Sequence, residues 1–156
     1  MAGNPSGMTP SESTAEIAGL LDRYLITLDD EKLDDDWTRS LFTEDASVTF
    51  PVGGHQGAAG MGAFHQRTLD AFTCTQHMGT HAFVEIEGGG DTARLRANCT
   101  STHVHRPENA AELGPLFRTG TFVDGRARRT PEGWRLSALS FRLMWKHGTP
   151  PGGGGR

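Results

Sequence analysis

Four histidines fall in two short stretches: His77 and His81 in TQHMGTHAF (75–83), His103 and His105 in STHVHR (101–106). Imidazole titrates near neutrality and also binds metals, so these residues suit either proton transfer or ligation. A His-x-His pair on a strand points both rings to one side, which is ligand stock for zinc or ferrous iron. No carboxylate stands at a diagnostic spacing beside it, and on a strand the His77–His81 separation is about 13 Å at ~3.3 Å per residue. Metal is therefore not expected, nor any other cofactor. No GxSxG segment supports nucleophilic hydrolysis, and no glycine-rich loop between a strand and a helix could cradle a phosphate. General acid–base chemistry needs less: a histidine, an aspartate that orients it, and a dry pocket for an enolisable substrate.

Two aspartates are candidates for that partnership. Residues 17, 21, 25 and 29 are spaced four apart, so Asp29 continues the apolar stripe of a helix. Near a helix C-terminus its charge meets the negative end of the dipole, which a facing imidazolium would offset. The alternative is that the helix ends there and Asp29, Asp30 and Glu31 form a solvated loop. Asp124 shares a strand face with Phe122 and Gly120 in TGTFVDGRARR. Burial of Phe122 would carry Asp124 inward, whereas an Asp before Gly125 also fits a bend or bulge.

The elements that position these residues are legible from periodicity. SESTAEIAGLLDRYLITLDDEKLDDDW opens on Ser13-x-x-Glu16, read as a capping box, and continues with Ile17, Leu20, Leu21, Tyr24, Leu25 and Leu28 at helical spacing. A shorter helix carries Trp37, Leu41 and Phe42, a strand with Val48 and Phe50 follows, and a third helix runs through Met61, Phe64, Leu69 and Phe72. Strands are then expected at about 75–87, 91–105, 114–129 and 133–146, with turns at 88–91, 106–109 and 131–133. In ARLRANCTSTHVH a period of two places Leu95, Ala97, Cys99, Ser101, His103 and His105 on one face. A bulge near Gly79 would bring His77 to the same interior. Helices first and an antiparallel meander second predict an α+β fold.

Composition narrows the function classes. The 156 residues carry 35% apolar and 22% charged side chains and a net charge of −4, which suits one domain, expected over 12–147 between disordered tails at 1–11 and 148–156. The absence of a basic run argues against nucleic acid as a partner. No stretch reaches the ~18 apolar residues that span a bilayer, and the start lacks a signal-like apolar core, so a cytoplasmic protein without a membrane partner is expected. Cys74 and Cys99 are read as reduced thiols.

The order of YLITLD, LFTEDASVTFPVGGHQG, TQHMGTH, a strand ending in histidine and GTFVDGRARRTPEGWRLSALSFRLMW resembles the SnoaL-like branch of the nuclear-transport-factor-2-like superfamily. The resemblance implies a cone-shaped α+β barrel, its helices packed on a curved antiparallel sheet around an apolar pocket. The most similar functional pattern is that of scytalone dehydratases and polyketide cyclases. It implies catalytic roles for Asp29, His77 and His103 in a cofactor-independent lyase or isomerase acting on an enolisable polyketide-like or polycyclic molecule, in secondary metabolism. Tyr24, His81, Phe122 and Asp124 complete the expected substrate contacts. Scytalone dehydratases have two pocket tyrosines where this chain has one tyrosine in all, Tyr24, and a serine–asparagine pair where it has Phe122 and Asp124.

Asp29 and His103 are expected to act as a unit, with His77 or a water serving the departing oxygen. A non-catalytic small-molecule-binding or assembly module of the same fold, or an epoxide hydrolase built on Asp29, Asp124 and an arginine, are the alternatives. Alternation of Leu139, Phe141, Leu143 and Trp145 with Arg142, Met144 and Lys146 predicts a second apolar face, and with it a homo-oligomer, a dimer before a trimer.

Overall fold

Helix α1 (Pro10–Asp30) begins one turn earlier than its sequence signal. Thr9 accepts the backbone N–H of Glu12 at 3.1 Å, and the Glu12 carboxylate accepts that of Thr9 at 2.7 Å, a complete capping box with proline in the first turn. Of the expected pair, Ser13 is buried instead, and Glu16 accepts the backbone N–H of Trp134 at 3.0 Å. The computed structural model describes residues 7–152. Of the tails expected at 1–11 and 148–156, residues 1–6 and 153–156 lie outside the described residues, while Thr9 caps α1 and Pro10 and Ser11 belong to it.

The remaining elements are α2 (Asp35–Leu41), β1 (Phe42–Phe50), β2 (Gly53–Gln56), α3 (Met61–Leu69), β3 (Phe72–Gly79), β4 (Phe83–Glu87), β5 (Thr92–His105), α4 (Pro107–Leu113), β6 (Leu116–Thr130) and β7 (Gly133–His147). The sheet runs β2-β1-β7-β6-β5-β3, with β4 also on β5. Helices pack on one face of this curved sheet, as expected. The sheet is mixed, however, because β1 lies parallel to β7, and it is open rather than a closed barrel.

Four local expectations change. Helix α3 ends at Leu69, and Phe72 opens β3 opposite His105 instead of closing the helix. The strand expected over 75–87 is two strands that pair successive parts of β5, β3 with Cys99–His105 and β4 with Thr92–Arg96. Thr80 bridges the break by accepting the Asn98 N–H at 2.9 Å, and the register shift lies between Phe72 and Cys74, not at Gly79. Pro107 opens the short helix α4 where a turn was expected. At the other end, His105 Nε2–H donates to the Thr149 carbonyl at 2.8 Å, so the fold engages the chain past His147.

The core lies between α1 and the sheet. Ile17, Leu21 and Tyr24 meet Leu95, Leu136 and Leu139, each at 1% exposure or less, and each such side chain contributes about 1.5–3 kcal/mol by burial. The inner face of β5 is the one its alternation predicts, from Leu95 to His105. On β6 the predicted face is inverted: Val123, Gly125 and Ala127 are buried, while Phe122 faces out beneath the Arg142 guanidinium, 5.1 Å from its ring centroid. On β7, Leu139 and Phe141 belong to the core. A register shift opposite Gly120 and Thr121 then turns Trp145 onto Gly120, where a Cβ would collide with the indole ring. The continuous second apolar face expected on this strand is therefore interrupted. No helix among the described residues is long and apolar enough to cross a membrane.

Candidate active site

Asp29 stands in the last turn of α1, which packs along β3. Its carboxylate takes three donors: Oδ1 accepts His77 Nδ1–H at 2.7 Å and the Thr75 hydroxyl at 2.9 Å, and Oδ2 accepts the His77 backbone N–H at 2.7 Å. These donors offset the unfavourable helix end. Period-two alternation makes the set possible, because Thr75 and His77 share one face of β3. The pair is largely enclosed, with side-chain exposures of 10% for His77 and 14% for Asp29. Burial pushes the Asp29 carboxyl up, but the His77 side-chain and backbone hydrogen bonds, the His77 charge and the Thr75 hydroxyl outweigh it and leave the group below its ordinary value.

His103 is held differently. Its Nδ1–H donates to the Phe117 carbonyl at 2.9 Å, and its ring lies between Phe72 and Phe117, 4.6 and 5.4 Å from their centroids. Burial is the main cause that pushes its pKa below the ordinary histidine value. The His77 and His103 rings are perpendicular, 5.9 Å apart. Both Nδ1 atoms are donors to fixed oxygens, so in the neutral rings both Nε2 atoms carry lone pairs. Neither Nε2 has a protein hydrogen-bond partner among the described residues. The expected Asp29–His103 unit is corrected accordingly, since the aspartate holds His77 and a main-chain carbonyl holds His103.

The expected substrate contacts lie elsewhere. Tyr24 is fully buried and its hydroxyl donates to His65 Nε2 at 2.9 Å, with His65 Nδ1–H donating to the Met61 carbonyl at 2.8 Å. His81 is exposed in the break between β3 and β4 and lines a cleft of about 390 Å³ with Pro10, Ser11, Thr14, Ala15 and Ala18. Ala18 alone is 11 residues before Asp29 on α1, ~16 Å at 1.5 Å per residue. Asp124 pairs with Arg94 at 2.8 Å on the outer face, together with Phe122. That placement separates Asp124 from Asp29 by the sheet and leaves the epoxide-hydrolase arrangement unformed.

Two residues of the inner cluster escaped the sequence reading. His65 follows Met61 by four residues on α3, a spacing that marks a shared buried face. Thr75 precedes His77 by two on the same strand, the position from which a hydroxyl can reach the same carboxylate.

The chain belongs to the SnoaL-like domain family, whose model matches residues 9–140, and its fold is that of the nuclear-transport-factor-2-like superfamily. The Kfla4162 protein of Kribbella flavida superposes with a TM-score of 0.81 at 25% identity, covering 89% of this chain and 95% of that one. A scytalone dehydratase-like protein from Novosphingobium aromaticivorans gives 0.71 at 17% identity over 90% and 91% of the two chains. A hexachlorocyclohexane dehydrochlorinase of type 2 gives 0.73 at 20% identity over 87% and 88%. No curated protein matches the sequence.

Proposed function

We propose that the protein is a cofactor-independent lyase that eliminates water, or another HX, from an enolisable carbonyl compound, with His77 as the base. The observation that carries this reading is the Asp29–His77 pair: the carboxylate fixes Nδ1 as donor and leaves Nε2 as an unpartnered lone pair in a largely enclosed site. Proton removal makes His77 an imidazolium, which Asp29 stabilises. The dehydratase and dehydrochlorinase names of the two neighbours both describe loss of HX, which agrees with such a base.

In the proposed reaction His77 Nε2 takes a proton from the carbon next to a carbonyl. The electron pair moves onto the carbonyl oxygen, then returns to expel the β-hydroxyl, which leaves as water with the proton from His77. Neutral His103 accepts a hydrogen bond from that hydroxyl through Nε2 and positions it. A polycyclic or polyketide-like substrate of secondary metabolism suits the flat aromatic flanks of His103, Phe72 and Phe117.

The bicyclic β-hydroxy ketone 3-hydroxy-1-tetralone tests the reading, because loss of water and tautomerisation give fluorescent 1-naphthol. The wild type is expected to accelerate 1-naphthol formation, and His77→Ala to lose roughly 10²–10⁴-fold in kcat. Equal rates with wild type and His77→Ala would leave a binding module as the better description.

A further inference from the structure

Removing a proton beside a carbonyl builds negative charge on the carbonyl oxygen, and donors aimed at that oxygen lower the barrier. Several interior hydroxyls near the base are already engaged. Thr75 donates to Asp29, Tyr24 to His65, and Thr121 to the Cys99 carbonyl at 3.4 Å. Ser101 is only 8% exposed, yet its hydroxyl meets nothing stronger than Cys99 Sγ at 3.7 Å. Among the described residues the Thr119 hydroxyl likewise donates to no acceptor.

Register brings these two hydroxyls beside the base. On the antiparallel ladders His77 is opposite Ser101, Ser101 opposite Thr119, and Thr119 opposite Lys146. Directly opposed residues have Cβ atoms ~5 Å apart on one face. His103 is two residues from Ser101 on the same face of β5, so Ser101 stands beside both imidazoles. The row begins at the Asp29–His77 pair and ends at a lysine position. Charge developing on an oxygen over its middle is thus directed away from the aspartate and toward the cation.

The geometry points to Ser101 and Thr119 as the oxyanion subsite, two hydroxyl donors that receive the substrate carbonyl oxygen while His77 takes the neighbouring proton. This rests on the elimination reading and deepens it: the substrate is a ketone or enone precursor whose carbonyl oxygen lies over β5 and β6, one strand spacing of ~4.8 Å from the base. Ser101 is desolvated without a strong partner because the substrate oxygen supplies one.

The test separates binding from turnover. The first measurement is affinity for 4-nitrophenolate, an oxyanion whose absorption band reports hydrogen bonding. The wild type is expected to bind it, and Ser101→Ala/Thr119→Val to bind at least tenfold more weakly with an unchanged unfolding midpoint. Thr119→Ser, which keeps the hydroxyl, is expected to retain binding within about twofold. No binding by the wild type, or equal binding by the double variant, overturns the subsite. The second measurement is turnover of 3-hydroxy-1-tetralone, for which each single loss of a hydroxyl is expected to lower kcat roughly 10–100-fold with little change in KM. Inactive wild type overturns the elimination reading, while phenolate affinity still judges the two hydroxyls.

Discussion

The Asp29 carboxylate is grasped twice by one residue, accepting both the backbone N–H and the ring Nδ1–H of His77 at 2.7 Å. A single carboxylate therefore fixes the strand and the imidazole together. The ring cannot rotate without breaking one hydrogen bond, and the strand cannot slide without breaking the other.

Asp29→Asn keeps the shape and removes the charge. It is expected to lower turnover of 3-hydroxy-1-tetralone by about 10–100-fold, and to add almost nothing on top of His77→Ala, because residues that act as a unit are strongly non-additive. Steady-state kinetics of the two single variants and the double variant check this. Fully additive losses would mean that the two residues act separately.

His65 links folding to pH. Burial pushes its pKa down to about 4 from an ordinary 6.5, so the unfolded chain binds this proton more readily than the folded one. Its contribution is complete above pH ~6.5 and is lost as pH falls toward 4, about 3 kcal/mol at most at 1.36 kcal/mol per pH unit. His103, also lowered by burial, acts with the same sign. Urea unfolding at pH 7, 5.5 and 4.5 should show this decline, and His65→Gln should flatten it. A slope unchanged by the substitution would mean that His65 does not set the acid sensitivity of the fold.

Tyr24→Phe deletes the donor to His65 Nε2 while leaving the ring packed against Trp37, Phe42 and Phe141. An unsatisfied buried acceptor costs ~1–3 kcal/mol, so chemical denaturation should show that loss, with kcat changed less than about threefold. A large fall in kcat at unchanged stability would return Tyr24 to the site.

Much of the fold was readable where the chain repeats a pattern over many residues. The stripe on α1 and the alternation on β5 set most of the core and carried His103 inward correctly. Phe122 misled because an apolar ring was assigned to the interior. The inner face of β6 takes small residues there, Gly125 and Ala127, because the Leu95 and Leu139 side chains close over Gly125, where a Cβ would meet them at 3.0 Å, and Arg142 covers the phenyl ring from outside. The partner of Asp29 was not legible for a different reason. Whether a helix end meets His77 or His103 depends on the register of β3 against β5, which includes a shift between Phe72 and Cys74 that no local signal marks.

The homo-oligomer expected from the last strand now rests on fewer residues. Leu139 and Phe141 are core, whereas Met144 and Trp145 remain 56% and 46% exposed. We propose that these two side chains, with Phe122 and Arg142 nearby on the outer face, form the contact of a closed dimer. Light scattering at micromolar concentration should return twice the chain mass, falling to one chain mass with Trp145→Glu. A monomeric wild type contradicts the proposal.

Every role proposed for the site depends on Asp29 fixing His77 with its proton on Nδ1 and a bare lone pair on Nε2. Nitrogen-15 NMR of histidine-labelled protein reads this directly, at a pH where the His77 ring is neutral. The wild type is expected to show a protonated Nδ1 with a strongly deshielded proton and an unprotonated Nε2, and Asp29→Ala to lose both signatures. A His77 ring that carries its proton on Nε2, or exchanges freely between the two tautomers in the wild type, would contradict it.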